Sequence, residues 1–481
     1  MYSGRRVRFF IGVSLLALSG CATLEGIKSD LNPQATQIVK NVETAPDNKW
    51  AEPVINALPT TDWVADFLDP TLSALVAEAL SVNTGIGAQQ AAFEAALARM
   101  KISDADRLPS LNSSLGVRRT ENANQFATDR TSVTGGLNAS WEADLFGRIK
   151  DQIGSSEYSA LASGADLASI RLSIAGRVVQ NWFDVLESRL LTELSVRDVE
   201  TQERALRLTQ RRFEGGITGS SDVRLARSSV ANAQALQASR RQRLAQSTRA
   251  LEVLLRRYPQ NALQSANDLP ELPTLPDAGI PSEILQSRPD LIAADFRLAA
   301  AGLNVDVARK NLLPRLTLDG GLNDSSTSLG DFFDIDSLIA NIGAGLTAPI
   351  FQGGRLRANV EQQDALLRQL LEGYAGDVLL AYSEVENALN AETFLNVRVN
   401  ALQVALEEAL KAEERLELRY TEGLATILQL LDAQSRRISA ESQLISARSE
   451  RLDNRVRLYL ALGGGDIGSV NNIVEQFQNI R

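Results

Sequence analysis

The placement of the prolines constrains this chain more than any other feature. None lies between Pro109 and Pro259, and none follows Pro349. An interior proline costs a helix about 3 kcal/mol, so both windows can hold very long helices. A helix from Arg148 to Phe213 would run for about 100 Å, and Val360 to Tyr420 has the same Leu-, Ala-, Glu- and Arg-rich character. Each window has one place to turn. Arg212-Phe213-Glu214-Gly215-Gly216-Ile217 ends the first helix, and Arg419-Tyr420-Thr421-Glu422-Gly423-Leu424 ends the second. Glycine accepts positive φ at no steric cost, as a sharp reversal at Gly216 and Gly423 requires. Thr426 is placed to cap the helix returning over Leu428 to Leu462.

The two turns belong to a duplication, which is worth seeking before any finer reading. Leu108-Pro109-Ser110-Leu111 parallels Leu313-Pro314-Arg315-Leu316, and Asp144-Leu145-Phe146-Gly147-Arg148 parallels Pro349-Ile350-Phe351-Gln352-Gly353-Gly354-Arg355. Four segments between these landmarks alternate with period two. Leu111, Ser113, Leu115 and Val117 share a face. So do Val133, Gly135, Leu137, Ala139, Trp141 and Ala143, opposite Thr134, Asn138, Ser140, Glu142 and Asp144. In the second copy Leu316, Leu318, Gly320 and Leu322 form one such face, and Ile342, Ala344, Leu346, Ala348 and Ile350 form another. Alternation over about 10 residues marks a barrel strand with one lipid face and one wet face. Two hairpins of a soluble sheet are the alternative. The linkers Arg119–Ser132 and Asn323–Ser337 are polar and acidic, as solvent loops are. Four strands cannot close a barrel, since the smallest membrane barrels have about eight, so barrel strands here require several chains to share one barrel. Each copy reads helix, strand, strand, long helix, turn, long helix, with Asp62 to Lys101 as the first helix.

Other features bound the function. The formal charge is −10 with scattered arginines, whereas a nucleic-acid binder needs a basic face. The chain has no histidine, which removes the commonest general base and metal ligand. Cys21 is the only cysteine, so no intrachain disulfide or cysteine-based zinc site forms. Nothing assembles a nucleophile, base, metal site or cofactor site, and the chain is read as no enzyme. Arg5, Arg6 and Arg8 precede a short apolar run, Phe9 to Leu18, in the form of a secretory signal peptide. Leu18-Ser19-Gly20-Cys21 resembles the bacterial lipobox, which implies cleavage before Cys21 and acylation of it; an ordinary signal peptide with an incidental cysteine is the alternative. Several acyl chains hold a protein at a membrane far better than one. The division is then 1–20 signal peptide, 21–61 lipid anchor and proline-bearing extended arm, 62–258 first repeat, 259–289 proline-rich linker, 290–465 second repeat and 466–481 polar C-terminal tail.

In the order and spacing of these motifs the chain resembles the TolC family of outer-membrane channels, and within it the NodT-type lipoproteins of resistance-nodulation-division efflux systems. The resemblance covers nearly all of residues 60–465. Its carriers are the lipobox, the paired Leu-Pro-x-Leu strand starts, Asp144 to Arg148, Phe351 to Gly354, Gly423 through Leu431-Asp432-Ala433-Gln434, and Ala461-Leu462-Gly463-Gly464-Gly465. It implies a mostly helical fold with membrane β: a homotrimer with a 12-stranded barrel, four strands per chain, continuous with a long periplasmic α-helical barrel. It also implies docking with a periplasmic adaptor (membrane fusion) protein and an inner-membrane pump, contact with outer-membrane lipid, and no nucleic acid. Ala22, where Asp would signal inner-membrane retention, points to the outer membrane.

The same resemblance assigns residues. Leu428 and Asp432 match the periplasmic constriction, as apolar and acidic rings; three converging carboxylates would attract cations. A solvated i,i+4 pair of Asp432 with Arg436 is the alternative, and Gln429 stands where some relatives carry a second acid. Asp222 and Tyr420 match positions that link the two tips in relatives, or else are a cap and a packed ring. The adaptor is expected to meet Gly215, Gly216 and Ile217 on one turn and Glu422, Gly423 and Leu424 on the other. A heptad of Leu428, Ser435, Ser442, Ser449 and Val456 with Leu431, Ile438, Ile445, Leu452 and Tyr459 reads as coiled-coil packing. Trp141 is an interfacial anchor or packs within its strand. Asp466 stands where relatives often have a tryptophan, and the tail is expected to wrap the outside of the barrel. The function implied is the outer-membrane exit duct of a tripartite efflux pump. The alternatives are the outer-membrane part of a type I secretion system and a lipid-anchored periplasmic coiled coil with no pore.

Overall fold

The structure, a computed structural model, describes residues 50, 62–121, 130–263, 268–276, 278–279, 281–326, 338–471 and 477. The signal peptide, Cys21 and the arm apart from Trp50 lie outside the described residues, as do 122–129, 327–337 and most of the tail.

The chain opens on a 3-10 turn, Ala65–Phe67, which ends where Leu68 takes a φ of +52°. Helix α1 follows over Pro70–Val82 and α2 over Thr84–Ala105. The expected single helix from Asp62 to Lys101 is therefore three pieces. The physical reason is capping. Asp69 accepts from the backbone of Thr71 and Leu72 ahead of Pro70, and proline suits a first turn. Asn83, extended at ψ 133°, accepts from Gly85 N and starts α2 afresh. Its amide also donates to Leu254 O, a buried bond across the sequence.

Strands β1 (Ser110–Thr120) and β2 (Arg130–Ala143) come next. The long hairpin α3 (Arg148–Glu214) and α4 (Ser220–Leu254) follows. Between α4 and the next long element the described residues hold a 3-10 turn, Pro281–Glu283, and a helical turn, Ile284–Ser287. The second copy consists of α5 (Pro289–Lys310), β3 (Arg315–Ser326), β4 (Ile339–Thr347), α6 (Arg355–Thr421) and α7 (Ile427–Ala461). The duplication is metrical: α3 and α6 each have 67 residues, and α4 and α7 each have 35. Among the described residues no helix is long and apolar enough to cross a membrane.

The four strands form one antiparallel sheet in the order β1-β2-β3-β4. β2 and β3 pair with Leu137 opposite Leu322, so the two copies are zipped together through the sheet. Every residue of β1 is exposed, including Leu111, Leu115 and Val117, and Ile342 on β4 is 95% exposed. A soluble sheet covers one face; this one leaves most of the apolar alternation bare, Val133 excepted, as a lipid-facing wall does. Two strand ends differ from the alternation. β4 stops at Thr347, because Pro349 has no N–H for the ladder, so Ala348 and Ile350 lie beyond it. Asp144 lies beyond β2 and caps α3, accepting from Ile149 N and Lys150 N at 3.1 and 2.9 Å.

The main core sits half-way down α3. Trp63, Phe67, Phe183 and Tyr459 interlock, with Trp63 stacked on Tyr459 at 5.5 Å and Phe67 against Phe183 at 5.2 Å. Two polar groups at its edge are satisfied, Tyr459 Oη donating to Asp66 and Trp182 Nε1 to Asp69, both at 2.8 Å, whereas the buried Trp63 Nε1 has no hydrogen-bond partner. Trp50 docks beside the linker, donating to the carbonyls of Ala278 and Gly279 and meeting Tyr382 edge-on. Phe477, from the tail, is buried with Met100 and Ala160.

Candidate functional site: the paired helical tips

The ends of the two long hairpins are built by one device. In the first, Gly216 N donates to Phe213 O at 3.0 Å and Ile217 N to Arg212 O at 2.8 Å. In the second, Gly423 N donates to Tyr420 O at 3.1 Å and Leu424 N to Arg419 O at 2.8 Å. The last carbonyls of each helix are thus satisfied by a left-handed turn, with φ of +72° at Gly216 and +83° at Gly423. Both turns leave an apolar side chain in solvent: Ile217 is 68% and Leu424 65% exposed. Gly215 and Glu422 are exposed beside them.

The returning helices start differently. Thr426 forms a full capping box: its Oγ1 accepts from Gln429 N, and Gln429 Oε1 accepts from Thr426 N at 2.9 Å. Gly219 begins α4 with no side-chain cap, and the Thr218 hydroxyl donates instead to the Asp222 carboxylate in the first turn.

Asp222 and Tyr420 are not partners within the chain. Tyr420, 2% exposed, shares a hydrogen bond of 2.9 Å with Thr209 on α3. The Arg212 guanidinium lies 4.7 Å above its ring and donates to its carbonyl. The two tips are therefore tied by Thr209, Arg212 and Tyr420 through a cation–π contact and hydrogen bonds. Arg212 occupies the place in its turn that Arg419 occupies in the other, a signal readable in the duplication. Thr209 gave no signal, since only the packing of α3 against α7 brings it there.

Leu428 and Asp432 stand one helical turn apart on an outward face of α7, each 62% exposed (for Asp432, its side chain). Asp432 accepts from Arg436 Nε at 2.8 Å, so the i,i+4 pair is formed. On the opposite side Ile427, Leu430, Gln434 and Arg437 are buried against the chain, with Arg437 bridging Glu413 of α6 and Glu441. The expected heptad is followed only in the upper half of α7. Ser449, Leu452, Val456 and Tyr459 are buried, whereas Leu428 and Ser435 face solvent. A strict seven-residue stripe drifts about 20° per heptad around a straight helix, so four heptads carry it off the packed side.

One group was not foreseen. Asp453 on α7 faces Asp184 and Glu187 of α3, with Glu450 and Arg457 on its own helix, and its Oδ1 is buried without a hydrogen-bond partner. Burial first, and Asp184 next, push its pKa up to about 7. Asp184 is also raised, by burial and then Glu187, against the opposing pull of Arg243 on α4. Trp141, half-buried, donates to Arg107 O at 2.9 Å and ties β2 to the end of α2. Among the described residues no cluster of His, Cys, Asp or Glu is arranged to hold a metal ion.

A bare four-stranded sheet open at β1 and β4, continuous with helical hairpins about 100 Å long, defines a channel protein of the outer membrane. Open strand edges are not tolerated in lipid, so the barrel is closed by further copies. The comparisons agree. Residues 75–255 and 280–464 match the family described as outer membrane efflux protein. The pyoverdine export outer membrane protein OpmQ of Pseudomonas aeruginosa is 33% identical over 415 residues, covering 84% of this chain and 87% of the relative. The cation efflux system protein CusC of Escherichia coli is 28% identical over 463 residues, 94% of this chain and 97% of the relative. The solved structure of the outer-membrane channel OprN superposes with a TM-score of 0.81 at 28% identity, covering 88% of this chain and 96% of that one.

The chain belongs to the outer membrane efflux protein family. Its fold is that of the trimeric TolC-type channels, four strands per chain in a twelve-stranded barrel that continues into a helical barrel. It is an efflux channel of the outer membrane and not an enzyme.

Proposed function

We propose that this chain is the passive exit duct of a tripartite pump, carrying small molecules from periplasm to exterior through a tip that opens on docking. The observation that supports this most directly is the pair of matched turns. Both end in a glycine at positive φ and an exposed apolar residue, Ile217 or Leu424, which suits contact with a periplasmic adaptor fed by a resistance-nodulation-division pump. Leu428 and Asp432 form the constriction once three chains close the ring, and acylated Cys21 anchors the arm in outer-membrane lipid. Asp222 and Tyr420, which bond to Thr218 and Thr209 within the chain and not to each other, link tips between copies. Relatives are named for pyoverdine, cations and toluene, so one duct architecture serves unlike cargoes and the pump selects among them.

The test pairs function with assembly. In an efflux-deficient host supplied with cognate adaptor and pump, cysteine at Ile217 or Leu424 should crosslink to the adaptor. Leu428→Ala with Asp432→Ala should raise single-channel conductance. Absence of both effects in a correctly assembled trimer overturns the reading. Export of a protein substrate instead of small molecules would favour the type I secretion alternative.

A further inference from the structure

The ion pair on the outward face of α7 bears on what the tip conducts. Leu428, Asp432 and Arg436 recur at i, i+4 and i+8, so they stand within one quarter-turn of the helix at steps of about 6 Å. Arg436 is the most exposed of the three, its side chain 75% accessible. It makes one contact, Nε to Asp432 Oδ2 at 2.8 Å. Among the described residues Asp432 is the carboxylate that acts on Arg436; Gln429 is an amide, and its oxygen is held by the backbone of Thr426. The neighbouring cation Arg437 points to the other side, where Glu413 and Glu441 neutralise it.

We propose that Arg436 is a selectivity-determining residue of the channel. It forms a basic ring directly inside the acidic ring of Asp432, so that the constriction presents paired dipoles rather than a net negative charge. This rests on the reading of Leu428 and Asp432 as the constriction. A ring of three bare carboxylates concentrates cations, because its field is that of a net charge. Three compact ion pairs have no net charge, and their field falls off more steeply with distance. The chain then passes anionic solutes that an acidic ring would repel, and the pore discriminates weakly between small cations and anions.

Reversal potentials of the full-length trimer in planar bilayers, under a potassium chloride gradient, decide the matter. Wild-type channels should show a cation-to-anion permeability ratio near unity. Arg436→Gln should raise that ratio severalfold, Asp432→Asn should lower it below unity, and Arg436→Lys should restore the wild-type value. Heat-modifiable migration of each variant checks assembly, and both side chains are exposed enough for folding to survive. A shift in Asp432→Asn without one in Arg436→Gln, or a strongly cation-selective wild type, overturns the proposal while leaving the constriction in place. No shift in either single variant, with unchanged conductance in Leu428→Ala, removes the constriction reading as well.

Discussion

Helices α3 and α6 have the same length and end in the same turn, yet they do opposite work. α3 is buried along its whole course, from Ile149 to Thr209, and packs against α1, α2, α4, α5 and α7. α6 packs mainly on α5 and α7, and between Leu395 and Tyr420 it has no buried residue. Its outward side instead shows Phe394, Val397, Val404, Leu410 and Leu418. One copy of the duplicated unit has become the keel of the chain. The other is an edge, and its exposed apolar stripe suits a neighbouring copy in the ring. The seams on either side of α7 differ in the same sense. Toward α6 they are ion-paired, through Arg437–Glu413, Arg451–Glu392 and Arg398–Glu450. Toward α3 the seam carries the ion pair Arg197–Glu441 but also sets Asp453 against Asp184 and Glu187, with no cation between them strong enough to keep Asp453 charged.

The comparison can be broken hardest at Trp182. It is fully buried on α3 and bonded to Asp69, so Trp182→Ala should cost about 3–5 kcal/mol, seen as a lowered midpoint in denaturant unfolding of the detergent-solubilised protein. Phe394→Glu on α6 touches no buried contact within the chain, yet should abolish the heat-modifiable oligomer. A trimer that survives Phe394→Glu would mean that the α6 stripe is not an interface.

The α3–α7 seam gives the next effect. The folded pKa of Asp453 lies near 7, far above its ordinary value, so the folded state keeps a proton that the unfolded chain releases. Stability should therefore fall as pH rises from about 4 to 7, with a slope of at most about 1.4 kcal/mol per pH unit from this group. It should level off above. Asp453→Asn should flatten that slope and stabilise the protein at pH 8, where the buried carboxylate is otherwise charged. The same pH profile in wild type and variant would locate the titration elsewhere.

The tips should respond least in stability and most in transport. A side chain at Gly216 meets no atom within 4 Å, so Gly216→Val is strained only by its positive φ, about 1–2 kcal/mol. Gly423→Val should behave alike, because its turn is the same. Both variants should assemble and fail to confer resistance; resistance retained in either would separate the tips functionally. Smallest is Thr426→Ala, which removes a cap worth about 1 kcal/mol from α7 alone. α4 offers no equivalent, because Gly219 has no side chain to lose.

Much of this was legible in the residues. The long helices were readable to within a few residues: Arg148 to Phe213 against Arg148–Glu214, and Leu428 to Leu462 against Ile427–Ala461. The signals are local, since missing prolines permit a helix and a glycine at positive φ ends it. Strand positions were readable for the same reason, apart from ends decided by Pro349 and by the capping of α3 by Asp144. The break at Asn83 escaped because its cause is partly the distant carbonyl of Leu254. At the tips the turns were legible and their tie was not: Tyr420 meets Thr209 and Arg212, residues that approach it only when α3 and α7 pack.

The sequence by itself determined the duplicated plan, the lengths of the helices, the places where they reverse and the two-faced strands, because each depends on backbone preferences within a few residues. Only the tertiary structure decided that α3 is the keel and α6 the edge, that β2 pairs with β3, and that Asp453 is held beside Asp184. Two copies with the same local pattern cannot specify their own difference. Burial and pairing between distant segments assign it, and the hydrophobic effect then acts on whichever face the neighbours leave bare.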